Sequence, residues 1–284
     1  MTPIPEGRPF YTVNEDGKWV LETGELRKMK LYIGAPMFGG QCAGFWSQSM
    51  DVLKMHLRGM GFEYAVDDVY NESLPTRARN QIAAGFLTAK DYTHLLFIDV
   101  DERFDAEDVF KMMAMNLGVV GGFVPMKGLE YSKMFAMAYL CGREDSLKGV
   151  PAIPFTDADG RLSEFKASGL SYAVHAIQGR PLERCNGAVE VERIGCGAML
   201  VQRRVFETMI AEERVDKINN CRIGKIAPMY YNFFGDAVED GEHLSEDYYF
   251  CKRWHECGGR VWAYEAAKFG HWGNMLFEGQ GVKL

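Results

Sequence analysis

Two aspartates, Asp99 and Asp101, directly follow a short apolar segment, residues 94–98, that is typical of a buried strand. Side chains alternate along an extended chain, so these two carboxylates are expected to share one face at the end of that strand. A divalent cation bound by oxygen ligands would relieve their mutual repulsion. The alternative is an acidic turn before the next helix. Asp105 already supplies the N-cap of that helix, so we favour a metal site.

Two arginines, Arg77 and Arg79, lie near the start of the helix predicted before the acidic pair. Guanidinium groups bind phosphate oxygens well, and a helix start adds N–H donors. Cations at a helix start also oppose the helix dipole, which favours a functional reason for their presence. The alternative is one surface arginine and one arginine paired with Asp67 or Asp68.

Later in the chain, Glu246 and Asp247 open a helix predicted over residues 245–257. Acids in a first turn stabilise a helix, so capping is one interpretation; the other makes Asp247 a general base that deprotonates a hydroxyl. His271 lies beside Trp272 in a segment without periodicity, and a neutral imidazole is a common metal ligand. Aspartates with one imidazole favour Mg²⁺ or Mn²⁺.

These residues must be positioned by strands that alternate with helices. The predicted strands cover residues 30–36, 62–66, 95–98, 118–124, 191–201 and 260–264, and the predicted helices cover 43–59, 76–89, 105–115, 204–213 and 245–257. This order predicts an α/β fold, an open and mainly parallel, Rossmann-like sheet with helices on both faces and an irregular second half from about 131 to 190.

Ligands of such sheets bind outside the carboxyl ends of the strands. Asp99 and Asp101 lie at one such end, and Pro36, Met37 and Phe38 lie at another, where they could hold a nucleobase. A simple turn with core residues is the alternative for these three.

The composition of the chain limits the classes of protein to which it can belong. The chain has 284 residues, 47% of them hydrophobic and 25% charged, which suits one globular domain over 30–284 after an N-terminal arm at 1–29. We expect this arm to contain a hairpin around residues 14–17. A net charge of −7 disfavours nucleic acid as a partner but leaves room for a local basic groove. We expect no membrane span and no signal peptide. Seven cysteines without a C-x-x-C pair predict reduced thiols in the cytoplasm.

In this order, the motifs resemble a GT-A fold glycosyltransferase, most closely the inverting, metal-dependent family 2 type. The matching segments are residues 33–38, 77–80, 99–101, 195–200, 246–247 and His271. The resemblance implies metal ligation by Asp101 and His271, and it implies that Asp99 orients the ribose or supports the metal through a water molecule. It also implies a nucleotide-sugar half at about 30–128 and an acceptor half at about 129–284, with Gly197 beside the acceptor.

The implied reaction moves a sugar from a nucleoside-diphosphate sugar, with UDP favoured and GDP possible, to a hydroxyl of a glycan, a small molecule or another acceptor. Mn²⁺ or Mg²⁺ would assist, Arg77 or Arg79 would contact phosphate, and Asp247 beside Glu246 would act as the base, with inversion. Four aromatic residues could stack on sugar or simply pack in the core: Trp272, Tyr230, Tyr231 and Phe234.

Two other functions remain open. A nucleotidyltransferase would use a similar metal site but prefers a basic loop after the first strand, and residues 37–41 contain no basic side chain. A non-catalytic sugar- or nucleotide-binding module would need no general base.

Overall fold

The computed structural model describes residues 3–128, 170–179 and 181–280. Most of the segment predicted to be irregular, residues 131–190, lies outside these ranges, as does Cys141. The cysteines within them are free thiols. No helix in these ranges is both long and apolar enough to cross a membrane.

The described residues form a mixed α/β structure. The strands are β1 (Tyr11–Val13), β2 (Trp19–Leu21), β3 (Leu31–Met37), β4 (Tyr64–Tyr70), β5 (His94–Ile98), β6 (Glu102–Phe104), β7 (Val119–Gly122), β8 (Val174–His175), β9 (Arg184–Cys185), β10 (Ala188–Val191), β11 (Arg193–Ile194), β12 (Ala198–Gln202), β13 (Ala237–Glu239), β14 (Glu242–Leu244), β15 (Val261–Tyr264), β16 (Lys268–Trp272) and β17 (Leu276–Gln280). The α-helices are α1 (Thr23–Leu26), α2 (Gly44–Gly59), α3 (Pro75–Thr88), α4 (Ala106–Met115), α5 (Arg203–Ala211) and α6 (Glu246–Glu256), with 3₁₀ turns at Phe38–Gly40 and Ala227–Met229.

The largest sheet has eight strands in the order β4-β3-β5-β12-β7-β15-β10-β9. Strands β4, β3 and β5 are parallel, and β7 is parallel to β15. Strand β12 runs antiparallel to both of its neighbours, β5 and β7, and β10 runs antiparallel to β15 and β9. The sheet is therefore mixed: four of its seven strand pairings are antiparallel, so the prediction of a mainly parallel sheet is wrong, although β4, β3 and β5 are parallel.

The single strand predicted over residues 191–201 is wrong. This stretch is divided among β10, β11 and β12, with breaks at residue 192 and at residues 195–197. Close approaches require the glycines of the second break: a Cβ on Gly195 would lie 3.0 Å from the Cβ of Ala173, and one on Gly197 would lie 3.0 Å from Oε1 of Glu102. Only glycine fits such contacts easily, so apolar character alone did not reveal where the strand ends.

Helices cover both faces of this sheet. Alternate residues of β5 divide between two cores: Leu96 packs with side chains of α2 and α4, and Phe97 packs with side chains of α3, α5 and α6. The period of two along a strand produces this division. Both faces are consequently buried, and the polar groups concentrate at the edges of the sheet.

The N-terminal arm contains the predicted hairpin and packs on the core. The side chain of Asn14 accepts hydrogen bonds from the N–H groups of residues 16 and 18, at 3.1 and 2.8 Å, which closes the turn between β1 and β2. The rings of Tyr11 and Trp19 stack at 3.7 Å, and Trp19 lies 5.9 Å from the ring of Tyr264 in the main sheet.

A three-stranded sheet in the order β17-β16-β6 lies beside the acidic motif. Strands β6 and β16 pair antiparallel with His271 directly opposite Glu102. Directly opposite residues of an antiparallel pair place their side chains on the same face. This pairing brings a residue near the C-terminus against the acidic turn.

Buried His94 predicts a loss of stability in mild acid. The pKa of His94 is lowered to about 4, by burial and then by the charge of Arg204. Between about pH 6.5 and pH 4 the unfolded chain therefore binds a proton at this ring that the folded chain does not, so stability falls as the pH falls. We expect about 3 kcal/mol of the free energy of unfolding to depend on His94 across this window.

Urea denaturation from pH 7 to pH 4 measures this dependence. The variant His94→Asn should show a flatter pH profile than the wild type, while the control His56→Asn, which alters an exposed histidine on α2, should keep the wild-type profile. Parallel profiles for His94→Asn and the wild type would contradict the prediction.

Candidate functional site

The candidate site lies at the carboxyl ends of β3, β5 and β7, where antiparallel β12 begins. The N–H of Asp99 donates to the carbonyl of Gly197 at 3.0 Å, and the N–H of Glu102 donates to the carbonyl of Asp99 at 3.1 Å. Residues 99–102 therefore form a tight turn between β5 and β6. The turn interpretation is correct for the backbone, and the acidic side chains are turned inward.

Helix α4 begins after Asp105, as predicted, but the side chain of Asp105 makes no capping hydrogen bond. Asp108, in the first turn of the helix, instead accepts a hydrogen bond from the N–H of Lys268 at 2.9 Å. Asp108 thus links this helix to β16, whereas Glu107 pairs with Lys111 on the helix itself.

Three side chains at this edge could hold a metal ion. One ligand atom from each of Asp101, Glu102 and His271 lies within 4.8 Å of the others. Nε2 of His271 lies 3.5 Å from Oδ1 of Asp101 and 3.5 Å from Oε1 of Glu102. Its Nδ1 lies 2.8 Å from the carbonyl oxygen of Pro125. Because a carbonyl only accepts, Nδ1 donates to Pro125, and Nε2 is the ring nitrogen that faces the two carboxylates.

Glu102 is the most informative member of this cluster. It is fully buried, and neither of its carboxylate oxygens accepts a hydrogen bond from any residue that the structure describes. Burial, followed by the charges of Asp99 and Asp101, raises its pKa well above the ordinary value. Buried polar atoms are rarely without a partner. A hard divalent cation would supply the missing partner, and two carboxylates with one imidazole fit Mn²⁺ or Mg²⁺.

Sequence reasoning missed Glu102. In a continuous strand its side chain would point away from that of Asp101, but the turn at residues 99–102 redirects it. The register of β6 on β16, which places it opposite His271, joins residues far apart in the chain. The one available signal was a third acid directly after the aspartate pair.

Asp101 is held by two neighbouring side chains, His271 and Lys127. Burial alone would raise its pKa, but hydrogen bonds from His271 and Lys127 outweigh burial and lower the pKa to about 2. Nζ of Lys127 forms a close ion pair with Oδ2 of Asp101. The backbone N–H of Trp272 donates to the carbonyl of Asp101 at 2.7 Å. Asp101 therefore remains ionised and fixed in place.

Asp99 lies outside the three-residue cluster and pairs with Arg79. Nη2 of Arg79 lies 3.0 Å from Oδ2 of Asp99, and its Nε lies 3.3 Å from Oε1 of Glu246. Arg79 is only 5% exposed. It links the acidic turn to the start of α6, so its charge balances two carboxylates; phosphate binding by Arg79 stays a prediction.

Arg77 is exposed on the same helix and forms an ion pair with Glu72 at 2.6 Å. The alternative pairing of an arginine with Asp67 or Asp68 is wrong for both arginines, which pair with Glu72, Asp99 and Glu246. Asp67 instead accepts a hydrogen bond from the hydroxyl of Tyr32 at 2.6 Å.

Replacing Arg79 should be strongly destabilising. Arg79→Met leaves the carboxylates of Asp99 and Glu246 without their shared cation, and loss of one partner of a buried ion pair costs about 3–5 kcal/mol. Arg77→Met is the matched control on the same helix, because an exposed pair contributes about 0–1 kcal/mol. Urea denaturation at pH 7 compares the two, and equal free energies of unfolding would contradict the assigned role of Arg79.

Asp247 is oriented by its neighbours at the start of α6. Its Oδ1 accepts hydrogen bonds from the hydroxyl of Ser245 and, at 2.8 Å, from the N–H of Tyr248. Its Oδ2 would lie 3.4 Å from a Cβ on Gly195. The capping interpretation therefore applies to one oxygen. The other lies beside the glycine segment before β12.

The remaining predicted binding residues have mixed surroundings. Met37 is buried in the core, whereas Phe38 is 65% exposed and Pro36 is half-buried. Trp272 is 42% exposed, and its ring lies 5.7 Å from that of Phe45. Phe38 and Trp272 are thus available for stacking.

Two of the four aromatic residues considered for sugar stacking belong to the core. Phe234 is fully buried, stacked on Phe250 at 4.8 Å, and Tyr230 is also buried. Tyr231 is partly buried and its ring lies beneath Lys217. A stacking role is therefore wrong for Phe234 and Tyr230, since core packing uses the ring faces.

No family model matches the sequence, and no curated protein matches it. Among solved structures, the chain is similar to one described as the crystal structure of A197 from STIV, with 14% identity and a TM-score of 0.42 over 90% of this chain and 97% of that chain. A likeness of this size establishes neither a family nor a function. What the protein does must be inferred from the residues of the site.

Proposed function

We propose that this protein is a metal-dependent glycosyltransferase that moves a sugar from a nucleoside-diphosphate sugar to an acceptor hydroxyl, on a GT-A-like sheet. The observation that carries the proposal is buried Glu102, whose carboxylate accepts no hydrogen bond from the described residues and faces Asp101 and Nε2 of His271 at the carboxyl edge of the sheet. Ligand sites of open α/β sheets lie at this edge.

The donor side of the site would use the acidic turn. The metal ion, Mn²⁺ or Mg²⁺, would be held by Asp101, Glu102 and His271. It would neutralise the negative charge that develops on a leaving diphosphate. Asp99 is fixed by Arg79 at 3.0 Å and keeps Oδ1 without a hydrogen-bond partner among the described residues. That oxygen could accept a hydrogen bond from a ribose hydroxyl.

The acceptor side would use Asp247. Hydrogen bonds from Ser245 and Tyr248 hold one carboxylate oxygen, which fixes the direction of the other. The second oxygen takes the proton of the acceptor hydroxyl as that hydroxyl attacks the anomeric carbon from the face opposite the leaving group. Attack from that face inverts the configuration.

Two observations favour this proposal over the other functions. The turn at Phe38–Gly40 contains no basic side chain to bind a triphosphate, which disfavours a nucleotidyltransferase. The second carboxylate oxygen of Asp247, which helix capping does not use, would act as the base of a transferase and has no such use in a module that only binds.

Turnover with a panel of radiolabelled UDP-, GDP- and dTDP-sugars tests the proposal directly. With Mn²⁺ we expect slow hydrolysis of one donor, faster release when a suitable acceptor is added, and neither in the presence of EDTA. Consumption of a nucleoside triphosphate and a sugar 1-phosphate would instead identify a nucleotidyltransferase. Absence of both turnover and cation-dependent nucleotide binding would contradict the proposed function.

A further inference from the structure

Lys127 is the more accessible of the two cations that pair with the aspartates of the acidic turn in the described part of the chain. Its Nζ contacts Oδ2 of Asp101, and its side chain is 41% exposed, compared with 6% for Arg79. The backbone beside it is fixed, because the N–H of Met126 donates to Ser171 at 2.7 Å and that of Gly128 donates to Met126 at 2.8 Å. The backbone is thus held while the ammonium group is partly free in water.

The ammonium of Lys127 and a divalent cation compete for the same carboxylate. Asp101 directs Oδ1 at His271, at 3.5 Å, and Oδ2 at Lys127. A cation ligated by Asp101 would lie next to the ammonium, and two like charges at contact distance repel strongly in a partly buried site. The guanidinium of Arg79 cannot move away to make room for a cation, since it is buried between Asp99 and Glu246. Lys127 is the group that can move.

We propose that the ammonium of Lys127 neutralises Asp101 when no cation is bound. Once a cation binds, the side chain of Lys127 turns and its ammonium contacts the diphosphate oxygens of the nucleotide instead. This inference rests on the proposed function and adds a diphosphate ligand to it. The stem of Lys127 supports the exchange, because a Cβ on Gly273 would lie only 3.3 Å from its Cδ. The stem can stay against the backbone beside Trp272 while the ammonium turns.

Charge balance explains why the destination is a diphosphate. A nucleoside diphosphate released by transfer carries more negative charge than one divalent cation neutralises, and an ammonium is a common partner for phosphate as a point charge. The acidic turn alone would repel such a ligand. An additional mobile positive charge is therefore needed beside the cation.

Two binding measurements on the full chain test the exchange. The variant is Lys127→Met, and the control is Lys268→Met, which alters an exposed lysine on β16. In the first, free Mn²⁺ is titrated by electron paramagnetic resonance without nucleotide. Lys127→Met should bind Mn²⁺ about fivefold more tightly than the wild type, because its competitor is removed.

In the second measurement, calorimetry follows the binding of UDP and of GDP at saturating Mn²⁺. Lys127→Met should bind the preferred diphosphate about 10- to 100-fold more weakly than the wild type, the loss expected for one hydrogen bond to a charged group. Lys268→Met should match the wild type in both measurements.

The outcomes separate this inference from the proposed function. If the wild type binds Mn²⁺ and a diphosphate but Lys127→Met behaves like Lys268→Met, the exchange is wrong and the proposed function stands. If Lys127→Met binds Mn²⁺ while the wild type does not, Lys127 is a permanent counter-ion and the exchange is again wrong. If no variant binds Mn²⁺ or nucleotide, both fail.

Discussion

Asp247→Asn is expected to lower the rate of sugar transfer by about 1,000-fold while leaving the affinities for Mn²⁺ and UDP unchanged, because a positioned general base contributes about 10²- to 10⁴-fold. The asparagine keeps an oxygen that can accept the hydrogen bonds from Ser245 and Tyr248. It loses only the capacity to take a proton. The comparison uses kcat at saturating donor and acceptor, with UDP binding measured separately by calorimetry.

Asp236→Asn is the control for this substitution. Asp236 is exposed on the same part of the chain and pairs with His243 at 2.8 Å, so its loss should leave kcat and UDP affinity at wild-type values. A variant Asp247→Asn that retains the wild-type kcat would remove Asp247 from the mechanism. A loss of UDP affinity as large as the loss of kcat would indicate a binding role in its place.

Glu102→Gln should weaken Mn²⁺ binding by at least about 100-fold, because the loss of even an outer-shell partner of a metal ligand costs 10- to 100-fold. The neutral amide preserves volume but offers no charge to the cation. Thermal unfolding with and without Mn²⁺ gives a second reading. The cation should raise the Tm of the wild type, since it binds only the folded chain, and should leave that of Glu102→Gln nearly unchanged.

Glu278→Gln is the matched control, since Glu278 lies on β17 of the same three-stranded sheet and is exposed in an ion pair with Arg103. It should bind Mn²⁺ like the wild type. Equal Mn²⁺ affinity for Glu102→Gln and Glu278→Gln would show that the buried carboxylate serves packing alone.

Local patterns predicted the elements of the first half well. The helix predicted over 43–59 is Gly44–Gly59, and the strand predicted over 30–36 is Leu31–Met37. Both are long apolar patterns with clear ends, which depend on neighbouring residues only. The strand predicted over 62–66 is Tyr64–Tyr70, because Asp67 and Asp68 interrupt the apolar pattern although they continue the strand.

The site was predictable only where each residue carried its own signal. Asp101 and His271 each stood out in the sequence, and the resemblance to GT-A glycosyltransferases implied that they share a metal ion; the structure places Oδ1 of Asp101 3.5 Å from Nε2 of His271. Glu102 and the partners of Arg79 depended on the β6–β16 register and on the packing of α3 against α6. Such contacts join residues that are far apart in the chain, so no local pattern of residue types in the sequence indicates them.

Anomalous diffraction from a crystal soaked with UDP and Mn²⁺ tests the central claim most directly. We predict one Mn²⁺ peak within about 2.1 Å of oxygens from Asp101 and Glu102 and of Nε2 of His271, the spacing of a hard divalent cation and its ligands. The diphosphate oxygens should complete its coordination at the carboxyl edge of the sheet. A Mn²⁺ peak elsewhere, or ordered UDP bound away from these three residues, would contradict the account.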